Sequence, residues 1–363
     1  MPRVLLIAPQ WIGDAVMAQP LVALLAVRGE QVTALGLPSV AAVLRAMPGV
    51  AEVIEAPFAH GKLDWRLRSQ IAAQLRGQGF ARAYILGNNL KARLVPWLAR
   101  IPQRVGYVGE AGGLLLTQRI RPSGHGVGQA EPMALSPVSC RLPKAPPRRA
   151  DIRDHYAALA QRPGEASPSR RPEPTLAVAR EQARAVGARF GLPERWVALC
   201  PGAEYGPAKQ WPSAHFATLA ARAQRAGYAV AVLGTPRDAA TGQAIAAQTP
   251  GVRNLCGVTQ LDEAVALLAD CSGAVSNDSG LMHIAAALGR PTVGVYGSTD
   301  PRHTPPAAHH SAVLWLQLEC SPCFARTCPL GHLHCLWQIQ PEAVWEQLQQ
   351  LLGPPQEASA GQA

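Results

Sequence analysis

The sequence lacks the long apolar segments from which helical membrane proteins are built. No apolar run reaches the roughly 18 residues that a helix needs to span a bilayer. Glycine and proline number 33 each, but they follow no collagen-like period. These absences exclude an integral membrane protein and a fibrous protein.

A clean secretion signal is also missing. The first 27 residues loosely resemble a signal peptide, but Asp14, Gln19 and Pro20 interrupt the apolar stretch and no small-residue cleavage site follows cleanly. We therefore expect a strand, a loop and a helix here. Reduced thiols in the cytoplasm are then the expected state of the cysteines, and a secreted mini-domain is excluded.

Two common nucleotide-binding loops are absent as well. No Gly-x-Gly-x-x-Gly motif follows a strand and opens a helix; Gly124, Gly126 and Gly128 alternate, but no strand precedes them. There is no Walker A loop either. A dinucleotide-dependent oxidoreductase and a P-loop kinase or ATPase are therefore disfavoured.

The chain has enough material for two domains. It has 363 residues, of which 48% are hydrophobic and 16% charged, so it can bury full cores. Strand-like and helix-like segments alternate in both halves, which predicts βαβ units and parallel sheets. Two similar doubly wound halves, joined by a Pro-, Ser- and Arg-rich linker at 162–174, predict a cleft between them. Ligands in such sheets bind beyond the carboxyl ends of strands.

The expected elements follow from periodicity and from turn residues. The expected strands are Val4–Ala8, Gln31–Leu35, Val53–Ile54, Ala83–Leu86, Trp196–Cys200, Tyr228–Leu233, Gly273–Ser276 and Thr292–Tyr296. The expected helices are Ala15–Val27, Leu63–Gln78, a segment ending at Arg100, Ser213–Ala226, Leu261–Asp270, Leu281–Leu288 and Pro341–Leu352.

The formal net charge of +10 is concentrated in the first half of the chain. Residues 1–170 contain 21 Lys and Arg against 10 Asp and Glu, or +11, and residues 171–363 contain 13 against 14, or −1. Such a field attracts an anionic partner, for example nucleic acid, lipid headgroups or a phosphorylated glycan. An arginine-rich solvated surface that reflects a GC-rich genome is the alternative.

Three loops after expected strands carry candidate functional residues. In Gln10–Asp14, the Asp14 carboxylate either caps a helix or acts as a catalytic base, and capping is the commoner role. Asn277–His283 joins a strand to a helix whose free N–H groups suit a diphosphate, or it is an ordinary turn with a satisfied core histidine. In Pro201–Pro212, Lys209 offers a point charge for phosphate, whereas Trp211 is expected to pack.

These three loops, in this order and spacing, resemble the ADP-heptose:lipopolysaccharide heptosyltransferases over nearly the whole chain. The segments Asn277–Pro291, Tyr296–Asp300 and Thr304–Pro306 carry the likeness further, and Cys320–Leu336 is similar to the type II branch. The resemblance implies an α/β protein of the GT-B fold, with two Rossmann-like domains whose parallel sheets face a central cleft. The implied boundaries are an acceptor domain at 1–165, a nucleotide-sugar domain at 175–340, a terminal helix at 341–352 and a disordered tail at 353–363.

The resemblance also implies roles for individual residues. Asp14 would be the general base, and Lys209 would neutralise the diphosphate. The remaining implied substrate-binding residues are Trp11, Gly13, Asp278, Ser279, Gly280 and His283, with Gly234–Asp238 expected to reach the nucleotide ribose. No cofactor is implied. The absence of an Asp-x-Asp motif agrees with a leaving group that protein groups stabilise without a metal ion.

The function that the resemblance implies is inverting transfer of heptose from ADP-heptose to the first heptose of the lipopolysaccharide inner core. The acceptor would be a phosphorylated Kdo–lipid A glycan at the inner membrane face, and the enzyme cytoplasmic or peripheral there. Acceptor contacts are expected among Arg66, Arg68, Lys91, Arg93, Arg104 and Arg119. The alternatives are transfer to Kdo as in type I enzymes, a sugar-nucleotide epimerase, and a non-catalytic nucleotide-sugar or nucleic-acid binding module. Because no basic motif is interleaved with aromatics, nucleic acid is disfavoured.

The eight cysteines form two groups. Cys140, Cys200, Cys256 and Cys271 are scattered and are expected to behave as small buried hydrophobic residues. Cys320, Cys323, Cys328 and Cys335 lie within 16 residues, with His332 and His334 between them. Structural thiols are the favoured interpretation of this cluster, and tetrahedral zinc is the alternative.

Overall fold

The computed structural model describes residues 1–59, 61–109, 111–121, 150–162, 165, 171–307 and 310–353. These residues divide into two compact units. Unit 1 contains the described residues up to Ala177 together with Arg302–Pro305, and unit 2 contains Val178–Pro301 and the described residues from Pro306 onward. The predicted 175–340 domain does not anticipate that residues 302–305 join unit 1.

Unit 1 is built on a fully parallel six-stranded sheet in the order β3-β2-β1-β4-β5-β6. Its strands are β1 Arg3–Ile7, β2 Gln31–Gly36, β3 Val50–Glu55, β4 Phe80–Ile85, β5 Gln103–Tyr107 and β6 Gln118–Ile120. The central strands are apolar runs buried on both faces, as parallel sheets covered by helices require. Leu5, Ile7 and Leu35 belong to a buried hydrophobic core of this unit.

The helices of unit 1 differ from the predicted ones mainly at their ends. They are α1 Ile12–Met17, α2 Gln19–Val27, α3 Pro38–Arg45, α4 Trp65–Leu75, α5 Leu90–Leu98 and α6 Ile152–Ala157. The single helix predicted over Ala15–Val27 is wrong, because the chain breaks at Ala18 and α2 restarts with Pro20 in its first turn. Proline has no N–H to donate, so it fits there and not inside a continuous helix.

Unit 2 repeats the same topology. Its parallel sheet has the order β12-β11-β10-β7-β8-β9, which read from the other edge is the 3-2-1-4-5-6 order of unit 1. The strands are β7 Trp196–Cys200, β8 Ala229–Val232, β9 Arg253–Asn254, β10 Gly273–Asn277, β11 Thr292–Val295 and β12 Ser311–Leu314. The helices are α7 Arg180–Arg189, α8 Ser213–Arg225, α9 Ala239–Gln248, α10 Leu261–Asp270, α11 Gly280–Ala287, α12 His334–Trp337 and α13 Pro341–Leu352.

Trp211 anchors the unit 2 core as expected. It is almost fully buried, its indole Nε1 donates to the carbonyl oxygen of Ile339 (2.9 Å), and Pro212 is the N-cap of α8. The terminal helix α13 packs Val344 and Leu348 into the same core. In the part of the chain that the structure describes, no helix has the length and hydropathy needed to cross a bilayer.

The remaining sequence predictions concern glycines, cysteines and the C-terminal tail. Gly124, Gly126, Gly128 and Cys140 lie outside the described residues, as does the tail beyond Gly353. Cys200, Cys256 and Cys271 are buried free thiols, which confirms the expectation for them. The helices α3, α6, α7, α9 and α12 and the strands β5, β6, β9 and β12 were missed by the sequence patterns.

Candidate functional site

The candidate residues lie at the switch point of each sheet. In unit 1 the strand order reverses between β1 and β4, and in unit 2 between β7 and β10. The loop with Trp11 and Asp14 follows β1. The loops with Lys209 and with Asp278 follow β7 and β10 respectively, so both border the unit 2 switch point. Open α/β sheets bind their ligands at this position because the loops of neighbouring strands separate there.

Asp14 lies in the first turn of α1 and is not its cap. The N-cap is Trp11, whose side chain is exposed and makes no capping bond. The carboxylate of Asp14 is only partly buried. The capping interpretation of Asp14 is therefore wrong in its strict form, because the residue belongs to the first turn of the helix and Trp11 is the N-cap.

Tyr156 of α6 is the titratable neighbour of Asp14. Burial first, and then the negative charge of Asp14, raise the pKa of the Tyr156 phenol well above its ordinary value. The phenol therefore stays neutral at physiological pH. Sequence reasoning missed this neighbour because α6 lies more than 130 residues downstream and carries no recognisable motif.

In unit 2, Asp278 is the centre of a buried polar network. Its Oδ2 accepts from Lys209 Nζ (2.6 Å) and from Thr299 Oγ1 (2.6 Å), and its Oδ1 lies 3.8 Å from His283 Nε2. Burial alone would raise the pKa of this carboxyl group, but the Lys209 ammonium and then His283 hold it well below its usual range. Lys209 is therefore already ion-paired within the protein, which the resemblance did not imply.

The loop that carries Lys209 is fixed to the rest of unit 2 by backbone contacts. Asn277 is fully buried; its Oδ1 accepts from the Trp211 N–H (3.0 Å) and its Nδ2 donates to the Pro201 carbonyl (2.6 Å). Gly206 has φ 152°, and a Cβ there would lie 2.5 Å from the Arg326 carbonyl oxygen. The position therefore excludes a side chain, and the tight approach orders the turn that presents Lys209.

The N-terminus of α11 leaves its backbone donors open. Ser279 is the N-cap, but its hydroxyl lies against Ser276 Oγ (3.1 Å) and makes no capping bond to the helix. Gly280 then starts the helix without a side chain. Such an uncapped helix start suits a phosphate group.

His283 is not a satisfied core histidine. Only 3% of its surface is exposed, yet its Nδ1 has no hydrogen-bond partner among the described residues. A buried polar atom without a partner is costly, and this atom can accept or donate a hydrogen bond to a bound substrate. This finding contradicts the alternative that Asn277–His283 is an ordinary turn with a satisfied core histidine.

The aromatic ring of Tyr205 lies close to two cations, Lys209 and Arg326. Lys209 Nζ lies 5.2 Å and Arg326 Cζ 5.3 Å from the centre of the Tyr205 ring. Arg326 is exposed, and its carbonyl accepts from Ala208 N (3.0 Å). Sequence reasoning missed Arg326 because it is more than 110 residues from the Lys209 loop and belongs to the cysteine-rich segment.

In the loop Gly234–Asp238, which is expected to reach the nucleotide ribose, the Asp238 carboxylate accepts hydrogen bonds from within the loop. Asp238 Oδ2 accepts from the backbone N–H of Thr235 (2.8 Å) and from its hydroxyl (2.7 Å). Arg237 pairs with Glu204 across an exposed 2.8 Å contact. The Thr235–Asp238 pair is thus a capping box that fixes the loop backbone.

Three of the arginines expected at the acceptor instead hold unit 1 together. Arg68 and Arg93 are 4% and 1% exposed, and they donate to backbone carbonyl oxygens, as half-buried Arg104 also does. Burial lowers the pKa of the Arg68 and Arg104 guanidinium groups. Arg66 and Arg119 are exposed. The structure therefore gives Arg68, Arg93 and Arg104 internal bonds, and leaves Arg66 and Arg119 exposed among the candidates for acceptor contacts.

The four clustered thiols line one small cavity. Cys320, Cys323, Cys328 and Cys335 border a space of about 20 Å³, with His332 at its side. Burial first, and then the neighbouring thiols, raise the pKa of Cys335 to about 11. Within the described residues, no three His, Cys, Asp or Glu side chains are arranged to hold a metal ion. Structural thiols and tetrahedral zinc thus stay the two predictions for this segment, and metal analysis separates them.

Comparison with known proteins identifies relatives of this chain. The model of glycosyltransferase family 9 (heptosyltransferase) matches residues 68–334. The lipopolysaccharide heptosyltransferase 2 of Escherichia coli is 35% identical, over 96% of this chain and 98% of that protein. The lipooligosaccharide heptosyltransferase 2 of Haemophilus influenzae is 33% identical, over 96% and 99%. The solved structure of E. coli ADP-heptose lps heptosyltransferase II superposes with a TM-score of 0.79, at 33% identity over 96% of this chain and 98% of that one. The two parallel sheets match that structure, so the α/β GT-B class is confirmed.

Proposed function

The chain belongs to glycosyltransferase family 9, the heptosyltransferases, and from this premise we propose that it transfers heptose from ADP-heptose to the first heptose of the lipopolysaccharide inner core. The observation that carries the proposal is the identity of about one third, across nearly the whole chain, with proteins named heptosyltransferase 2. The switch-point network around Asp278 supports it, because it offers an uncapped helix start and cations to a nucleoside diphosphate.

Unit 2 supplies the groups that would bind the sugar nucleotide. The backbone N–H groups at the start of α11 would receive phosphate oxygens, with Gly280 allowing close approach. Asp278 holds the Lys209 ammonium at 2.6 Å and so fixes its position. The charge of Lys209 is largely balanced by Asp278, and exposed Arg326, which also lies near the Tyr205 ring, would add positive charge for the leaving ADP. The unpaired Nδ1 of His283 would complete its hydrogen bonding with substrate.

Unit 1 supplies the base. The Asp14 carboxylate would take the proton from the attacking hydroxyl of the acceptor heptose. The freed oxygen forms the new bond to the anomeric carbon of ADP-heptose from the face opposite the leaving group, and the bond from that carbon to the phosphate oxygen breaks. ADP leaves with the electron pair, and the configuration at the anomeric carbon is inverted. Trp11 and Gly13, in the same loop, would contact the substrates.

The acceptor we propose is the phosphorylated Kdo–lipid A glycan that carries one heptose, met at the inner face of the cytoplasmic membrane. The names of the relatives favour this acceptor over the Kdo acceptor of type I enzymes. The net charge of +11 in residues 1–170 supports an anionic acceptor.

The test is an incubation of the full chain with ADP-heptose and one of three acceptors. The acceptors are the glycan bearing one heptose, the same glycan ending at Kdo, and none. We expect ADP and a product heavier by one heptose only with the first, and NMR should show inverted anomeric configuration. Transfer to the Kdo-terminated glycan would indicate the type I reaction. Conversion of ADP-heptose without acceptor would indicate an epimerase, and binding without turnover a non-catalytic module.

A further inference from the structure

Strand β10 ends with two polar residues that are completely buried. Ser276 and Asn277 are both 0% exposed, at the end of an otherwise apolar strand. A buried polar side chain lowers stability unless hydrogen bonds satisfy it, so each of the two calls for a local role. Successive side chains of a strand point to opposite faces of the sheet. Asn277 holds the loop that presents Lys209, which leaves the role of Ser276 on the other face to be explained.

The Ser276 hydroxyl has a single proton and three polar neighbours. Its Oγ lies 2.7 Å from the Asn277 carbonyl oxygen and 3.4 Å from the Cys200 carbonyl oxygen. Carbonyl oxygens can only accept, and the shorter distance favours Asn277 as the acceptor of this proton. The third neighbour is Ser279 Oγ, at 3.1 Å. Because Ser276 has no second proton, Ser279 is the donor in this contact.

Ser279 has the backbone of an N-cap residue but not its side-chain hydrogen bond. Its φ of −147° and ψ of 170° are extended, as the N-cap position requires. A serine at this position normally accepts from the N–H of the second or third helical residue, here Leu281 or Met282. The Ser279 hydroxyl instead contacts Ser276 and makes no bond to the helix. Ser276 therefore competes with α11 for the Ser279 side chain.

The result is a helix start that a ligand can reach. Ser279, Gly280 and Leu281 are partly exposed, and Gly280 carries no side chain to cover the first N–H groups. A second observation points to a ligand at the same place. The Nδ1 atom of His283, one turn into α11 and 3% exposed, has no hydrogen-bond partner among the described residues. The helix dipole adds positive potential, so an anion is the class of ligand that fits.

We propose that Ser276 is a positioning residue for the sugar nucleotide, which draws the Ser279 hydroxyl away from α11 and so keeps backbone N–H groups free for a diphosphate. A serine cap would occupy one of these donors, and an incoming phosphate oxygen would have to displace it. With Ser276 in place the donors are free before the ligand arrives, which is preorganisation. The inference rests on the proposed function in one respect, because it takes the diphosphate of ADP-heptose as the ligand.

The test is a double-mutant cycle on Ser276 and Ser279, read by ADP affinity and by stability. Ser276→Ala removes the competing acceptor, so Ser279 should turn and cap α11. Calorimetry should then show ADP affinity reduced about fivefold, because the diphosphate has to displace one serine cap. A crystal structure of the variant should place Ser279 Oγ within about 3.2 Å of the backbone nitrogen of Leu281 or Met282.

Removing the new cap should restore binding. In Ser276→Ala with Ser279→Ala, ADP affinity should return to that of Ser279→Ala alone, which is the fourth corner of the cycle. Stability should change in the opposite direction. Ser279→Ala should lower the urea midpoint more in the Ser276→Ala background, where it deletes a cap, than in the wild-type background. A merely structural role of Ser276 would lower binding and stability together, with no recovery in the double variant.

Thr292→Val is the matched control. Thr292 is also completely buried, on the neighbouring strand β11, and its hydroxyl donates to the Arg290 carbonyl oxygen (2.7 Å). This variant should lower the urea midpoint and leave ADP affinity unchanged. Ser276→Cys, which keeps the volume but is a weaker acceptor, should shift ADP affinity in the same direction as alanine and replaces it if alanine prevents folding. An equal loss of ADP affinity in Thr292→Val, or a loss in Ser276→Ala that Ser279→Ala does not reverse, would overturn the proposal.

Heptose transfer separates this inference from the proposed function. ADP affinities that follow the cycle, without transfer to a heptose-bearing acceptor, would refute the proposed function alone. Normal transfer, with ADP affinity and the KM for ADP-heptose unchanged in Ser276→Ala, would refute the positioning role alone. A wild-type chain that does not bind ADP would refute both.

Discussion

At the scale of single residues, the short motifs that follow the strands predicted the candidate site residues, whereas the counts of charged residues did not. Lys209, Asp278 and His283 could be proposed from sequence because each follows a strand and adjoins glycine or small residues. Their mutual contacts could not, since Thr299 and Arg326 come from distant segments. Arg68 and Arg93 were misassigned because a positive side chain looks the same in sequence whether it points outward or toward backbone carbonyls.

Asp14→Asn is the residue-scale test of the base. The amide keeps the size of the carboxylate but loses nearly all proton affinity, so kcat should fall on the order of 10²-fold or more. The affinity for ADP should stay almost unchanged, because the residues that we propose to bind the diphosphate belong to unit 2. Rates come from ADP release, and affinity from calorimetry. Turnover at the wild-type rate would leave Asp14 with a purely structural role.

Lys209→Ala tests whether the lysine serves ligand or fold. Removing the cation leaves the buried Asp278 carboxylate without its partner, so about 3–5 kcal/mol of stability should be lost. ADP affinity should fall by about 1.5–3 kcal/mol, the value of a charged hydrogen bond, and adenosine affinity by much less. Urea unfolding and calorimetry measure the two effects.

The double variant Lys209→Ala with Asp278→Asn separates those effects. Without the buried charge, stability should return most of the way, while ADP affinity should stay low. Arg189→Ala is the matched control, because its pair with Glu263 lies outside the site, is partly exposed and is worth at most about 1 kcal/mol. Recovery of ADP affinity in the double variant would show that Lys209 acts only by pairing with Asp278.

At the scale of elements, periodicity located the buried strands and missed elements whose identity depends on neighbours. β1 and β7 are apolar runs, so composition alone indicates them. β9 has only two residues and α6 only six, too few to show a period. Their place is set by tertiary contacts, such as the stacking of His155 of α6 on Tyr107 (3.7 Å between ring centres).

The stability of α6 should depend on pH through His155. Burial, and then the charge of His303, lower the pKa of His155 to about 4, against about 6.5 unfolded. The unfolded chain binds the proton more readily between these values, so this contribution is complete above pH 6.5 and is lost as the pH falls toward 4. Its size is on the order of 3 kcal/mol.

His155→Phe should remove that pH dependence. The ring can still stack on Tyr107, and the backbone carbonyl that accepts from the Tyr107 hydroxyl (2.6 Å) is retained. The free energy of unfolding should then change less between pH 7 and pH 5 than in the wild-type chain. His310→Gln is the exposed control and should behave as wild type. Identical pH curves for the wild-type chain and His155→Phe would contradict the assignment.

The cysteine-rich segment gives the second element-scale prediction. If its thiols pack as protonated groups, EDTA should change neither the melting temperature nor the rate of heptose transfer. The transfer rate should also persist, because we propose that backbone donors, Lys209 and Arg326 stabilise the leaving group without Mg²⁺. Loss of activity that added Mg²⁺ restores would refute this account of the leaving group. One tightly bound zinc per chain, with a lower melting temperature after chelation, would refute the thiol interpretation.

At the scale of the whole molecule, alternating strands and helices were sufficient to predict two doubly wound units. They were not sufficient to predict that residues 302–305 belong to unit 1, where the His303 carbonyl accepts from the Ile152 N–H (3.1 Å). That segment follows a unit 2 strand without a break in pattern, and only non-local hydrogen bonds assign it. A chain cut at a linker chosen from sequence would therefore separate residues that pack together.

The uneven charge of the molecule predicts an uneven response to salt. Arg68, Arg93 and Arg104 are committed to internal bonds, so exposed side chains such as Arg66 and Arg119 should attract the anionic acceptor, and ions screen such charges within about 8 Å at physiological strength. Raising salt from low to physiological should increase KM for a soluble acceptor several-fold. KM for ADP-heptose should change little, because we propose that its phosphates bind to hydrogen-bond donors of unit 2 at short distances. Arg119→Gln should raise only the acceptor KM, and Arg225→Gln, an exposed unit 2 control, neither. If both KM values rise together with salt, the positive charge of unit 1 is solvated surface without a role in acceptor binding.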